Sequence, residues 1–422
     1  MTRRIIVLGG GTGGTLLANR LRRQLDRAAA EIVVVDADDK HVYQPGLLFV
    51  PFGLVRPETL VRSRRRQLRA GVEFHCSAVD HVDLENNTVL LADGTSLSYD
   101  ALVVATGARL MPEETDGLLG PGWLEKVFSF YTLDAAVALR QALARFDSGR
   151  LVVGVMDMPI KCPVAPLEFS FLADWYFQKC GIRDKVELTY VTPLDGAFTK
   201  PVCNRQLSGL LADKRISLVT EFNTGEVDGR GDRLISYDGR EVPYDLAVLV
   251  PLHGGQAYVD RSPGLGDELG FVPTDQHTLQ AKVAPNVFVI GDAADVPASK
   301  AGSVAHFEGE TVARNVCRYL AGEPLEAGFD GHTNCFIESG FGKALLIDFN
   351  YDTDPVTGRF PGRIGLPLLR ESRLNHLGKL AFGWLYWHML LPGRDVPAVP
   401  ASMPMAGKRA VDTARPGSAR NQ

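Results

Sequence analysis

The chain opens with blocks of apolar residues cut by glycine. RRIIVLGGGTGGTLLANRLRRQL reads as an apolar run, a glycine cluster and a longer amphipathic stretch, which predicts a strand, a tight turn and a helix. EIVVVDAD predicts a second strand ending in Asp36 and completes a first βαβ unit. The same order recurs more weakly at LVVGVMDMPIKCPVAPLEFSFLADWYFQ and KVELTYVTP, so two dinucleotide-type units in series are expected. Between them, DALVVATGA suits a buried strand, and YTLDAAVALRQALARF has the apolar spacing of an amphipathic helix.

Farther on, DLAVLVP and VFVIGDAAD predict two more short buried strands, the second returning the chain to the first unit. The expected class is α/β with two Rossmann-like dinucleotide-binding domains in tandem, one discontinuous over 1–110 and 286–322 and the other over 111–285. From about 323 the pattern becomes aromatic and glycine-rich, as in NCFIESGFGKALLIDFNYD, and 323–392 is read as an irregular C-terminal segment. The tail 393–422, rich in Pro, Ala and Ser, is expected to be disordered.

Composition narrows the function more than the fold. With 422 residues, 45% hydrophobic, the chain is long enough for two or three ordinary cores. Lys and Arg number 45 against 50 Asp and Glu, so no basic excess points to a nucleic-acid partner. The six cysteines show no CxxC pair and no metal-ligand spacing, which argues against a disulfide framework and against a metal site. The first strand begins almost at once, without a secretory signal, so a cytoplasmic setting and a redox-active cysteine pair are expected.

The turn holds the GxGxxG glycines Gly9, Gly11 and Gly14, with Thr12 and Gly13 between them. After a strand and before a helix, this pattern lets the backbone approach a pyrophosphate that faces the helix N-terminus. Asp36, 22 positions past Gly14, suits a ribose hydroxyl. Two later segments, VVATGA with Ala105, Thr106 and Gly107, and VFVIGDAA with Gly291 and Asp292, are similar to the remaining signatures of the two-dinucleotide-domain flavoproteins. That resemblance implies FAD, Asp292 on the ribitol chain, and a helix opening near Gly302 and Ser303 aimed at the flavin pyrimidine, and the FAD is expected to be noncovalent because WLEKVFSFYTLD offers no cysteine for a covalent link.

Where a second glycine loop would bind a nicotinamide nucleotide, the chain reads KCPVAPLE, and its next strand ends in Thr192-Pro193 instead of an acid. The second domain is therefore expected to lack an NAD site. Pro163 and Pro166 stiffen this loop around Cys162. Here the chain resembles the sulfide:quinone oxidoreductases and the related flavoprotein subunit of flavocytochrome c sulfide dehydrogenase, over roughly residues 3–392.

The resemblance implies that Cys162 pairs with Cys335, 173 positions downstream in HTNCFIESGFGKALL, and that Glu168 moves protons. Sulfide would open a disulfide or polysulfide bridge between the cysteines, with electrons passing to FAD and on to a membrane quinone. The family's third cysteine, expected near WLEKVFSFYTLD, is missing, and Cys203 and His306 are assigned no role. Other readings of the same fold are a flavocytochrome c-type dehydrogenase, a type 2 NADH:quinone oxidoreductase and a non-enzymatic flavin redox sensor.

Leu380–Leu391 is apolar apart from His388, too short to span a bilayer but rich in interfacial aromatics, with Arg370, Arg373, Lys379 and Arg394 around it. It predicts an amphipathic in-plane anchor over 366–392, peripheral on the cytoplasmic side, with quinone beside Phe336 and Phe341. The alternative for this segment is a buried helix or a contact between copies in a homo-oligomer. VRSRRRQLR, with five arginines in nine residues, is read as a solvated helix face.

Overall fold

The computed structural model describes residues 2–397 and 399–411. The first unit begins with β1 (Arg3–Leu8), α1 (Thr12–Gln24) and β2 (Ala30–Asp36), followed by the short strands β3 (Lys40–Val42) and β4 (Val61–Ser63), then β5 (Glu73–Cys76) and β6 (Ala101–Val104). The second contains β7 (Val127–Phe128), α2 (Leu133–Arg145), β8 (Gly149–Val155), α3 (Ala165–Lys179), β9 (Val186–Val191), α4 (Pro201–Asp213), β10 (Ile216–Val219) and β11 (Leu246–Val250). The chain then forms β12 (Val287–Val289) and α5 (Gly302–Ala321), and continues through β13 (Thr333–Gly340), β14 (Lys343–Phe349), β15 (Thr357–Phe360), β16 (Leu366–Leu368), α6 (Arg373–Leu385) and β17 (Lys408–Arg409).

Two five-stranded sheets form the frame, in the orders β12-β6-β1-β2-β5 and β7-β11-β8-β9-β10. Every pairing in both is parallel. The α/β class read from the repeated strand–helix order is borne out. Parallel central strands are covered on both faces, which is why Ile5–Leu8, Ala101–Val104 and Leu246–Val250 are apolar without alternation and buried at every position. Local chemistry sets the helix ends. Thr132 caps α2 by accepting from the Ala135 N–H at 3.3 Å, Ser372 caps α6 through Asn375, and Gly322, at φ 73°, ends α5 in the left-handed region.

Three sequence-based expectations are corrected. NCFIESGFGKALLIDF is no irregular segment but the antiparallel hairpin β13–β14. Gly340, Phe341 and Gly342, all at positive φ, form its turn, so the glycines that obscured the strand period are the hairpin's own punctuation. The start of the expected disordered tail packs: Val399 and Met403 join an apolar cluster with Val356 and Phe360, and β17 pairs with β15, while residues 412–422 lie outside the described residues. The arginine run is no helix either. It makes β4 and a short turn, and one of its arginines turns inward to the site described next.

Candidate functional site

Glycine at 14 is required by close approach. A Cβ there would lie 1.8 Å from the Gly9 carbonyl oxygen, so α1 can start directly on the turn only without a side chain. The first amides of α1 have no side-chain cap, and a Cβ on Gly11 would meet nothing within 4 Å. An open, uncapped helix N-terminus is suited to phosphate. At the end of β2, the Asp36 carboxylate accepts the Gly10 N–H at 2.6 Å and pairs with Arg64, which ties the acid to the turn.

A cavity of about 620 Å³ runs from this turn into the second unit. It is bordered by Gly9, Gly11, Thr12, Gly13, Asp36, Ala105, Thr106, Gly107, Gly291, Asp292, Gly302 and Ser303, and also by Cys162, Glu168, Cys335 and Phe336. Gly14 lies behind the turn, and Phe341 does not reach the cavity. Phe341 is 45% exposed at the hairpin tip, with the Lys214 ammonium 4.7 Å from its ring centre, so the predicted place for it beside quinone is corrected. His306, assigned no role from the sequence, is buried in α5 and does not border the cavity.

These residues fit FAD. Two uncapped helix N-termini, of α1 and α5, open on one cavity, with a ribose-competent acid at one end and Asp292 near the other. Gly14→Ala is expected to cost about 2–3 kcal/mol by overpacking. The turn must shift to relieve the clash, so the variant should also hold FAD more weakly, read as a lower ratio of flavin to protein absorbance after gel filtration.

Cys162 sits in the turn before α3 at φ 49°, a conformation that non-glycine residues rarely adopt. Its N–H donates to the Lys300 carbonyl at 2.7 Å, and its own carbonyl accepts from the Tyr131 hydroxyl at 3.2 Å. Cys335 reaches the same cavity from β13, and both thiols are free. Burial, followed by the Glu168 charge, pushes the Cys162 thiol well above its ordinary range and the Cys335 thiol up to about 12, while the Lys379 ammonium opposes both shifts.

Glu168, on the first turn of α3, is almost wholly buried. It pairs with Lys379 of α6 and accepts the Glu338 N–H at 2.6 Å. Burial raises its carboxyl above the ordinary range against these two stabilising partners. Arg64, Lys161, Lys379, Phe382 and Tyr386 also border the cavity but were not picked out as site residues: Lys161 stands unremarked beside Cys162 in KCPVAPLE, and the others lie in charged or apolar runs.

Glu308 supports the Gly291 turn from α5 by accepting its N–H at 2.6 Å. Burial and the nearby Asp292 push its carboxyl up to about 7. The unfolded chain gives up this proton near pH 4.5 and the folded one near 7, so the stability it contributes is present below 4.5 and lost as pH rises through 7. Glu308→Gln should flatten that slope and raise stability at pH 8, relative to wild type, by about 3 kcal/mol. Urea unfolding at pH 4.5 and pH 8 measures the difference.

The pyridine nucleotide-disulphide oxidoreductase family matches residues 3–309. The chain is 28% identical over 402 residues to the mitochondrial sulfide:quinone oxidoreductase of Mus musculus, covering 92% of this chain and 86% of the relative. It is likewise 28% identical over 396 residues to the Dictyostelium discoideum protein of that name, covering 93% and 86%. The sulfide:quinone oxidoreductase structure from Aquifex aeolicus superposes with a TM-score of 0.77 at 20% identity, covering 93% of this chain and 92% of that one, and shares the fold. The resemblance drawn from the motifs is borne out by these relatives. The chain belongs to the pyridine nucleotide-disulphide oxidoreductase family, as an FAD-dependent oxidoreductase.

Proposed function

We propose that this protein oxidises sulfide through Cys162 and Cys335 and passes the electrons by way of FAD to a membrane quinone. The observation that carries the reading is the meeting of two cysteines, from a loop and a strand 173 positions apart, on the cavity that borders the cofactor residues. The left-handed backbone at Cys162 costs about 1–2 kcal/mol, and it is held there by bonds on both sides of the residue. Strain kept in place at a reactive side chain is characteristic of sites where position matters.

In the oxidised state the two cysteines form a bridge. Hydrosulfide adds to one sulfur, the S–S bond breaks, one cysteine carries a persulfide and the other leaves as a thiolate. A second hydrosulfide takes the outer sulfur of the persulfide, leaving as a disulfane and freeing the cysteine as a thiolate, and the two thiolates then give up two electrons as their S–S bond re-forms. Bound FAD supplies the two-electron acceptor that links this step to quinone. Glu168, shared between Lys379 and the Glu338 N–H, is the carboxyl placed to hold or move the proton of the attacking hydrosulfide.

Phe336, Phe382 and Tyr43 give the cavity an aromatic side suited to a quinone ring, beside Lys379. α6 turns Lys379 and Phe382 toward the cavity and leaves Leu374, Leu377, Leu380 and Trp384 exposed. That outer face supports peripheral docking on a bilayer. No helix among the described residues is long and apolar enough to cross a membrane.

The test is anaerobic reduction of the holoenzyme. Sulfide alone should bleach the flavin bands, and a soluble quinone analogue should restore them. The KCPVAPLE loop, without a glycine fingerprint, supports the expectation that NADH does neither. Bleaching by NADH and not by sulfide would sink the proposal in favour of an NADH:quinone oxidoreductase.

A further inference from the structure

The proposed chemistry does not use the contact between the C-terminal helix and the glycine turn. α6 continues into a wider π-type turn, Tyr386–Leu390, and the Tyr386 side chain reaches back to the start of α1. Its hydroxyl lies 2.7 Å from the Thr12 hydroxyl and 2.7 Å from His41 Nε2, and His41 Nδ1 lies 3.1 Å from the Gly10 carbonyl oxygen. A carbonyl can only accept, so Nδ1 carries the proton and Nε2 accepts from Tyr386 O–H. The tyrosine oxygen then accepts from Thr12 O–H. Burial keeps His41 neutral, with its pKa lowered to about 4, in agreement with that assignment.

The chain after Tyr386 is fastened to α1 itself. Asn19 Nδ2 donates to the Leu391 carbonyl at 2.7 Å, and Gly393 at φ 67° lies so close that a Cβ would be 2.7 Å from Arg20 N. The C-terminal helix and the glycine turn, which both border the cavity, are thereby bonded to each other.

We infer that Tyr386 is a positioning residue for the cofactor: through Thr12 and His41 it latches the C-terminal helix to the dinucleotide turn, and FAD leaves only when that helix lifts. This rests on the reading that FAD fills the cavity and, for its lipid arm, on the bilayer reading. The latch consists of two hydroxyl hydrogen bonds made within the protein, Tyr386 to Thr12 and Tyr386 to His41. Losing the tyrosine oxygen leaves the buried His41 Nε2 and the Thr12 hydroxyl without it.

The experiment measures FAD release from diluted holoenzyme by the rise in free-flavin fluorescence. Tyr386→Phe and Gly393→Ala, which forces the chain end off α1, should each release FAD about tenfold faster. Wild-type release rates in both variants would overturn the latch. So would faster release in Tyr386→Phe alone, since the hydroxyl would then act on the cofactor directly. Phosphatidylglycerol vesicles should slow release from wild type. A protein that fails to sediment with the vesicles contradicts the bilayer reading, whereas one that sediments without slower release overturns the coupling to the latch. Release is read without turnover, so a failure of the sulfide and quinone chemistry leaves this result distinct.

Discussion

Replacing Cys162 or Cys335 by serine lowers the rate of sulfide-driven flavin bleaching by about a thousandfold or more, the usual cost of losing a nucleophile. Serine has nearly the same volume, so the cavity and the bound FAD persist, but a hydroxyl forms neither a bridge nor a persulfide. Chemically reduced flavin in either variant should still be reoxidised by a quinone analogue at close to the wild-type rate, which separates the sulfur half of the reaction from the quinone half. Cys203→Ser is the control, since Cys203 is buried among apolar residues of α4 and does not border the cavity. Stopped-flow absorbance under anaerobic sulfide measures all three. Bleaching at the wild-type rate in Cys162→Ser or Cys335→Ser would remove the cysteine pair from the mechanism.

The raised Cys335 thiol adds a stability signature. An unfolded cysteine loses its proton near pH 9, the folded Cys335 near 12. Its contribution is complete below pH 9 and is lost as pH rises through 12, a slope that Cys335→Ser should lack.

Lys379→Met is expected to lower stability by about 3–5 kcal/mol. Glu168 is nearly wholly buried and Lys379 is its charged partner, so the single substitution leaves a carboxylate with only the Glu338 N–H. The carboxyl, already raised by burial, moves further up once the ammonium is gone. Lys379→Met combined with Glu168→Gln removes the orphaned charge and should recover most of the loss. Denaturant unfolding of the two single variants and the double variant gives the coupling. A Lys379→Met protein within 1 kcal/mol of wild type would mean that the pair is not closed in the folded protein. Glu168 also serves the sulfur half of the reaction, so the double variant should remain slow in sulfide bleaching even where its stability is recovered.

The sequence by itself determined the parts whose physics is local. The strand–glycine–helix turn needs Gly14 because the helix backbone passes against the Gly9 carbonyl a few residues away. Asp36 follows at the end of the adjacent parallel strand, within reach of Gly10. The unbroken apolar runs of β6 and β11 announce strands covered on both faces. Cys162 and Cys335 were legible by their contexts, as a proline-stiffened loop and a second redox-like segment, although nothing local said that one cavity would join them.

Tertiary structure decided which side chains of a run turn inward. Arg64 leaves an arginine-rich strand to pair with Asp36, and Lys379 leaves an apolar helix to pair with Glu168. In both cases the partner lies far away in sequence, where neither period nor composition carries a signal. Phe336 and Phe341, five positions apart on one segment, separate because the hairpin turn carries Phe341 out to solvent while Phe336 stays on the strand facing the cavity. The aromatic C-terminal run looked uniform and is split in the same way. Tyr386 and Trp387 are buried against Tyr43 and His41, while Trp384 faces outward. Burial of a side chain depends on what the rest of the chain brings against it, and that contact is made only when the fold closes.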